Sequence, residues 1–196
     1  MTRSRAILAA TIAAAALLVA GCDSDSPTTP SPEPTTTDPG TDAAPSASPS
    51  AVVVKPDRPA GLDDDGPAGA EAAAVYFLEL DDYIMKTGDT KEWEAMSHKS
   101  CEYCANRIEQ SDEIETKGYS WNSGPTSARV THTYEQDAAT GIWPIDTQVA
   151  QGAVQLTDAK GAIVYDEKAA NIDLAVEVAQ KDGHWVIIGV GQPEGE

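Results

Sequence analysis

The hydrophobic pattern passes through four regimes along the chain. Residues 6–20 are a continuous apolar run, and residues 23–50 offer nothing that could build a core. From about residue 68 the apolar positions recur at helical spacing. After Tyr119 they recur every second residue. In "AEAAAVYFLELDDYIMKTGD", Ala70, Ala73, Ala74, Phe77, Leu80 and Ile84 fall on one stripe, with Glu71, Glu79 and Asp82 off it. That spacing predicts an amphipathic helix, stopped by Gly88. Asp89 with Glu92 three residues on predicts a capping box opening a short helix that carries Trp93 and Met96. A third helix is expected from near Ser100, past Ile108, toward Glu115, with Cys101 and Cys104 in its first turn.

The later segments read as strands. "ARVTHTY" (128–134) alternates, "IDLAVEV" (172–178) sets Ile172, Leu174, Val176 and Val178 on one face, and "HWVIIGV" (184–190) is apolar on both. Two more strands are expected within 147–156 and 161–166. "KDGH" (181–184) supplies the Asp-Gly pair of a tight type I′ hairpin, whose central positions both require positive φ. Helices followed by an antiparallel sheet predict the α+β class.

The apolar run at the start has the layout of a signal peptide. Arg3 and Arg5 precede it, and "LVAGC" ends it at Cys22, as in bacterial lipoprotein signals. It is too short for a permanent span, which needs about 20 apolar residues. The expected organisation is therefore a signal peptide over 1–21, a linker from lipidated Cys22 to residue 67, and a folded domain over 68–196. Between Asp23 and Ser50, 19 of 28 residues are Ser, Thr or Pro, with no aromatic or basic side chain, so a disordered stalk is expected. As polyproline II, at about 3.1 Å per residue, the segment from Asp23 to about Gly69 could reach on the order of 100 Å from a bilayer. "LDDDG" (62–66) does not fit a calcium-binding EF-hand loop, because with Gly66 as the loop glycine the first and twelfth positions are Gly61 and Ala72. It reads as a solvated acidic turn.

Charge narrows the choice of partners. The formal net charge is −19, and loss of Arg3 and Arg5 with the signal leaves −21, of which residues 68–196 carry −14. Such a polyanion is repelled by nucleic acid and by anionic headgroups. Attachment to the bilayer is therefore expected through Cys22 alone, on the extracytoplasmic face.

With Cys22 lipidated, Cys101 and Cys104 are the two remaining cysteines of an exported chain, and a disulfide between them is expected. Two other readings compete with that local staple. A zinc site could take His98 as third ligand but finds His132 and His184 on predicted strands. A redox dithiol is favoured by the helix's first turn, yet lacks the leading strand and βαβ pattern of thioredoxin-like proteins. Patterns for nucleophilic serine, Walker, Rossmann and zincin sites are absent, so neither cofactor nor metal is expected.

The lipobox, the acidic Pro/Thr stalk, "KPDRP" (55–59), "YFLELDDYIMKTGD" (76–89) and "CEYC" (101–104) together resemble an uncharacterised actinobacterial lipoprotein domain family, domain of unknown function 6318, from about Lys55 to about Val190. That resemblance carries no catalytic residues. The order of helices then sheet, ending in "DGHWVIIGV", also resembles the NTF2-like (cystatin-like) fold, in which a bent sheet wraps a long helix into an open cone. The resemblance implies a pocket without implying what enters it. Val130, His132 and Tyr134 are expected on one strand face toward the cone interior, making His132 the leading pocket residue. Asp146 is a conceivable acid–base partner for it. The four tryptophans, Trp93, Trp121, Trp143 and Trp185, are expected in core and rim packing. The functional expectation is a surface-tethered domain that binds a small molecule, a wall fragment or an envelope protein. The alternative is a small dehydratase, isomerase or hydrolase with His132 as general base.

Overall fold

A computed structural model describes residues 53–193, all within one compact unit, residues 49–196. The expected signal peptide over 1–21, Cys22 and the Ser/Thr/Pro-rich segment lie outside the described residues. No helix among those described is long and apolar enough to cross a membrane.

Helix α1, Pro67–Thr87, is the axis of the fold. All six residues of its predicted stripe are 0% exposed. Burial goes further than the stripe, to Tyr76, Leu78 and Met85, because the two shorter helices and the turn before α1 pack on it as well as the sheet. Gly88, in the left-handed region at φ 70°, ends α1 and donates its N–H to the Ile84 carbonyl. Helix α2, Lys91–Met96, follows, with Trp93 and Met96 buried. Its predicted capping box does not form. Thr90 occupies the N-cap position, and Glu92 reaches away to bind Lys55 and the Tyr76 hydroxyl, exchanging a local cap for a long-range tie. Helix α3, Glu102–Lys117, completes the helical layer.

Seven strands follow: β1 Ser120–Ser123, β2 Ser127–Thr133, β3 Trp143–Gln151, β4 Val154–Thr157, β5 Ile163–Glu167, β6 Ala170–Lys181 and β7 His184–Gly191. They pair as two antiparallel sheets, β1-β4-β5 and β2-β3-β6-β7. The register runs through the break between them. Ser123 pairs with Val154 and Ser127 with Ala150 at one unchanged offset, and Gly124 N–H bonds the Ala153 carbonyl at 2.9 Å within the gap. The same holds on the other side, where Val154 pairs with Glu167 and Gln151 with Ala170. The two sheets are thus one sheet folded over a corner. Glycines permit the fold: a Cβ on Gly152 would stand 2.6 Å from the Gly124 Cα and 2.9 Å from the Pro125 carbonyl oxygen. The predicted strand within 147–156 is divided at this corner, and β1, only four residues with polar Ser120 and Asn122, gave no apolar pattern to read. The last hairpin is as predicted, with Asp182 and Gly183 at φ 52° and 79° and Lys181 opposite His184.

The packed unit begins upstream of residue 68. A 3-10 turn at Ala60–Asp63 buries Leu62, and the Asp64 carbonyl accepts the Trp185 indole N–H at 3.2 Å. Gly69 permits this approach, since a Cβ there would lie 2.0 Å from the Asp64 oxygen. The segment read from composition as the end of the linker is therefore seated on the domain by Leu62, by the Asp64 carbonyl, and by the Lys55 and Asp65 side chains, which bind Glu92 and Gln180.

Candidate functional site

The folded sheet, α1 and α3 enclose a cavity of about 520 Å³, within the range of small-molecule sites. Its apolar wall comes from Leu78 on α1 and Val154, Leu156, Ile172 and Leu174 on the sheet. Its polar side is set by two adjacent carboxylates on α1. Asp81 faces α3 and accepts two hydrogen bonds from Arg107, Nε to Oδ1 and a terminal nitrogen to Oδ2, both at 2.5 Å. Arg107 spends a third N–H on Gln110 Oε1, and its guanidinium carbon lies 5.7 Å from the Trp121 ring centroid. Both charged side chains are largely withdrawn from solvent, at 16% and 22% exposure. Burial pushes the Asp81 carboxyl up from its ordinary value while the Arg107 guanidinium pulls it back. Tyr103, packed beside them, has its phenol pushed up by the same burial and stays protonated.

Asp82 turns the other way, toward β1. It accepts from the Trp121 indole at 3.2 Å, from the Ser123 hydroxyl, and from Lys86 at 2.6 Å. Trp121 and Asp82 line both this cavity and a larger, more open depression of about 780 Å³ bordered by Val53, Val54 and Pro56. At the mouth stands β5, exposed along its whole length, where the Tyr165 hydroxyl donates to Glu167 at 2.6 Å.

The residues expected in the pocket stand elsewhere. A bulge in β2 between Val130 and His132 breaks the alternation, so Val130 packs against the core while Thr133, not His132, resumes the inward direction and donates to Glu71 at 2.7 Å. His132 is exposed and is not among the residues that line this cavity. Tyr134 lies beyond the strand, 46% exposed, and donates to Asp146 at 2.9 Å. His132 and Asp146 are register partners across the ladder, and neither lines the cavity. The general-base reading of His132 therefore loses its geometric basis.

Cys101 and Cys104 have their sulfurs 1.95 Å apart, bonded to each other. Cys101 is the N-cap of α3, and its sulfur accepts the Cys104 N–H at 3.1 Å. The bond is buried, with the two residues 2% and 1% exposed, and a thiol partner has no open approach to it. His98 is occupied nearby with the Ser100 hydroxyl at 2.7 Å. The Cys104 carbonyl accepts the Trp93 indole N–H at 3.1 Å, which ties the staple to the core. Replacing both cysteines with serine is expected to cost about 2 kcal/mol by loop entropy and to lower the melting temperature by several degrees. Thermal denaturation of the double variant, followed by circular dichroism, checks this. An unchanged midpoint would mean the bond plays no part in stability.

A family model described as "Family of unknown function (DUF6318)" matches residues 39–191. Among curated proteins none matches the chain. Among solved structures, the intermembrane space region of chloroplast protein ARC6 aligns with a TM-score of 0.51 at 10% identity, over 65% of this chain and 96% of that one. An uncharacterised protein with a cystatin-like fold from Caulobacter vibrioides aligns at 0.32 and 12% identity, over 57% and 81%. A protein designated Rd1NTF2_05 aligns at 0.35 and 10% identity, over 60% and 90%.

Proposed function

The chain belongs to the family of unknown function DUF6318, and on that premise we propose that it is a lipid-anchored extracytoplasmic lipoprotein whose folded domain binds a small ligand in the mouth of the cone. The observation that carries the binding half is the cavity itself. It combines an extended apolar wall, able to hold most of a ligand's surface, with a few fixed polar groups able to orient it. Its charged pairs are already bonded to one another, which suits a site that holds a ligand rather than one that transforms it. The anchoring half rests on "LVAGC" and the basic, then apolar, run before it. The Ser/Thr/Pro-rich segment would hold the cone well clear of the bilayer.

Metabolic labelling with a palmitate analogue, followed by fractionation, tests the anchor. The full chain is expected to be labelled and recovered with membranes, and Cys22→Ser to be unlabelled and released. Equal membrane recovery of the two forms would remove the lipid from the account.

A further inference from the structure

The charges around the cavity balance everywhere except at one point. Arg107 answers Asp81, Lys86 answers Asp82, and Lys117 answers Glu113. Glu167, at the mouth, has no ion-pair partner among the described residues and holds only the Tyr165 hydroxyl. Tyr165 and Glu167 are two apart on β5 and so project from the same face. They set an aromatic ring and an unspent carboxylate side by side at the rim of an apolar chamber. Two other rings of that lining already carry cations: Arg107 lies over Trp121 and Lys117 over Tyr119, the latter at 5.6 Å.

Resting on the reading of the cone as a binding site, we propose that its ligand is an amphiphilic monocation: an amine or quaternary ammonium head seated at Tyr165 and Glu167, with an apolar body running inward along Leu78, Leu156 and Leu174. Three physical terms favour that class. A cation at the rim gains both the carboxylate and the face of the tyrosine. The net negative charge of the domain raises the local concentration of cations and lowers that of anions. Farther in, carboxylates and cations are already matched, so a second charge on the ligand would be desolvated without a partner. An anionic ligand would have to displace Asp81 from Arg107 and pass Glu167 on the way.

Isothermal titration of the mature chain with three probes of similar length separates the possibilities: hexyltrimethylammonium, neutral octanol and hexanesulfonate. The cation is expected to bind about tenfold more tightly than octanol, roughly the sum of one cation–π contact and one exposed charge pair. The sulfonate is expected to bind least. Glu167→Gln, at an exposed position, should reduce that preference from about tenfold to about threefold, the share left to the face of Tyr165, with the melting temperature unchanged. Equal affinity for the cation and octanol would overturn the proposal and leave the cone standing as an apolar site. Preference for the sulfonate would overturn it in favour of Arg107 as the anchor. Binding of none of the three would overturn both the proposal and the pocket reading beneath it.

Discussion

Replacing Arg107 with alanine is expected to destabilise the domain by about 3–5 kcal/mol, because it strands Asp81 as a buried carboxylate with no cation. For a domain of this size that is a fall in melting temperature of roughly 10–20 °C. The loss should depend on pH in a definite direction. Burial raises the Asp81 carboxyl above its unfolded value, and in the variant nothing opposes that push. The folded state then takes up a proton more readily than the unfolded chain, so its stability rises as pH falls through the raised value toward the unfolded one. The gap between wild type and variant should therefore narrow on acidification from neutrality. Replacing both partners by apolar residues, Asp81→Leu with Arg107→Met, should recover most of the loss, since neither charge is then left buried. Chemical denaturation at a series of pH values reads all three effects. A gap that does not change with pH would mean that Asp81 is not the group left stranded.

Trp93→Ala should be comparably severe, at about 3–5 kcal/mol. Trp93 is 0% exposed, stacks on Phe77 with ring centroids 3.8 Å apart, and donates to the Cys104 carbonyl. Its removal leaves a cavity between α1, α2 and the start of α3 and takes away the indole's hydrogen bond to the Cys104 carbonyl beside the disulfide. Trp93→Phe keeps the stack and loses the hydrogen bond, and is expected to cost about 1–3 kcal/mol. If the alanine and phenylalanine variants unfold at the same denaturant concentration, the stacking contact contributes nothing and the packing account of this corner is wrong.

The elements with a single periodic signal were legible in the sequence. The α1 stripe, Gly88, the clean alternation of β6 and the Asp-Gly hairpin all depend on local spacing, and each stands where that spacing puts it. The pocket was not legible from His132, because alternation assumes an unbroken strand and a single bulged residue reverses every side chain beyond it. A signal for the candidate site was present in the sequence. In α3, Cys104, Ile108, Ser111 and Ile114 mark the inward side, and Arg107 falls on that side among them. An arginine on an inward stripe requires a buried carboxylate, and Asp81–Asp82 on the long helix was the nearest supply. The corner in the sheet left a trace only as Gly124 and Gly152. Their significance is that they meet each other, a contact between positions 28 residues apart that no local pattern reports.

The cone's role as a binding site is tested most directly by the indole N–H resonances of the mature chain in a proton–nitrogen NMR titration with hexyltrimethylammonium. Three of the four tryptophans report from separate places: Trp121 lines the cavity and bonds Asp82, Trp93 sits in the core bonded to Cys104, and Trp185 is held by Asp64. Saturable movement of the Trp121 signal, with those of Trp93 and Trp185 unmoved, is the predicted result. Movement of the Trp93 or Trp185 signals while Trp121 stays fixed would place the ligand outside the cone and contradict the account.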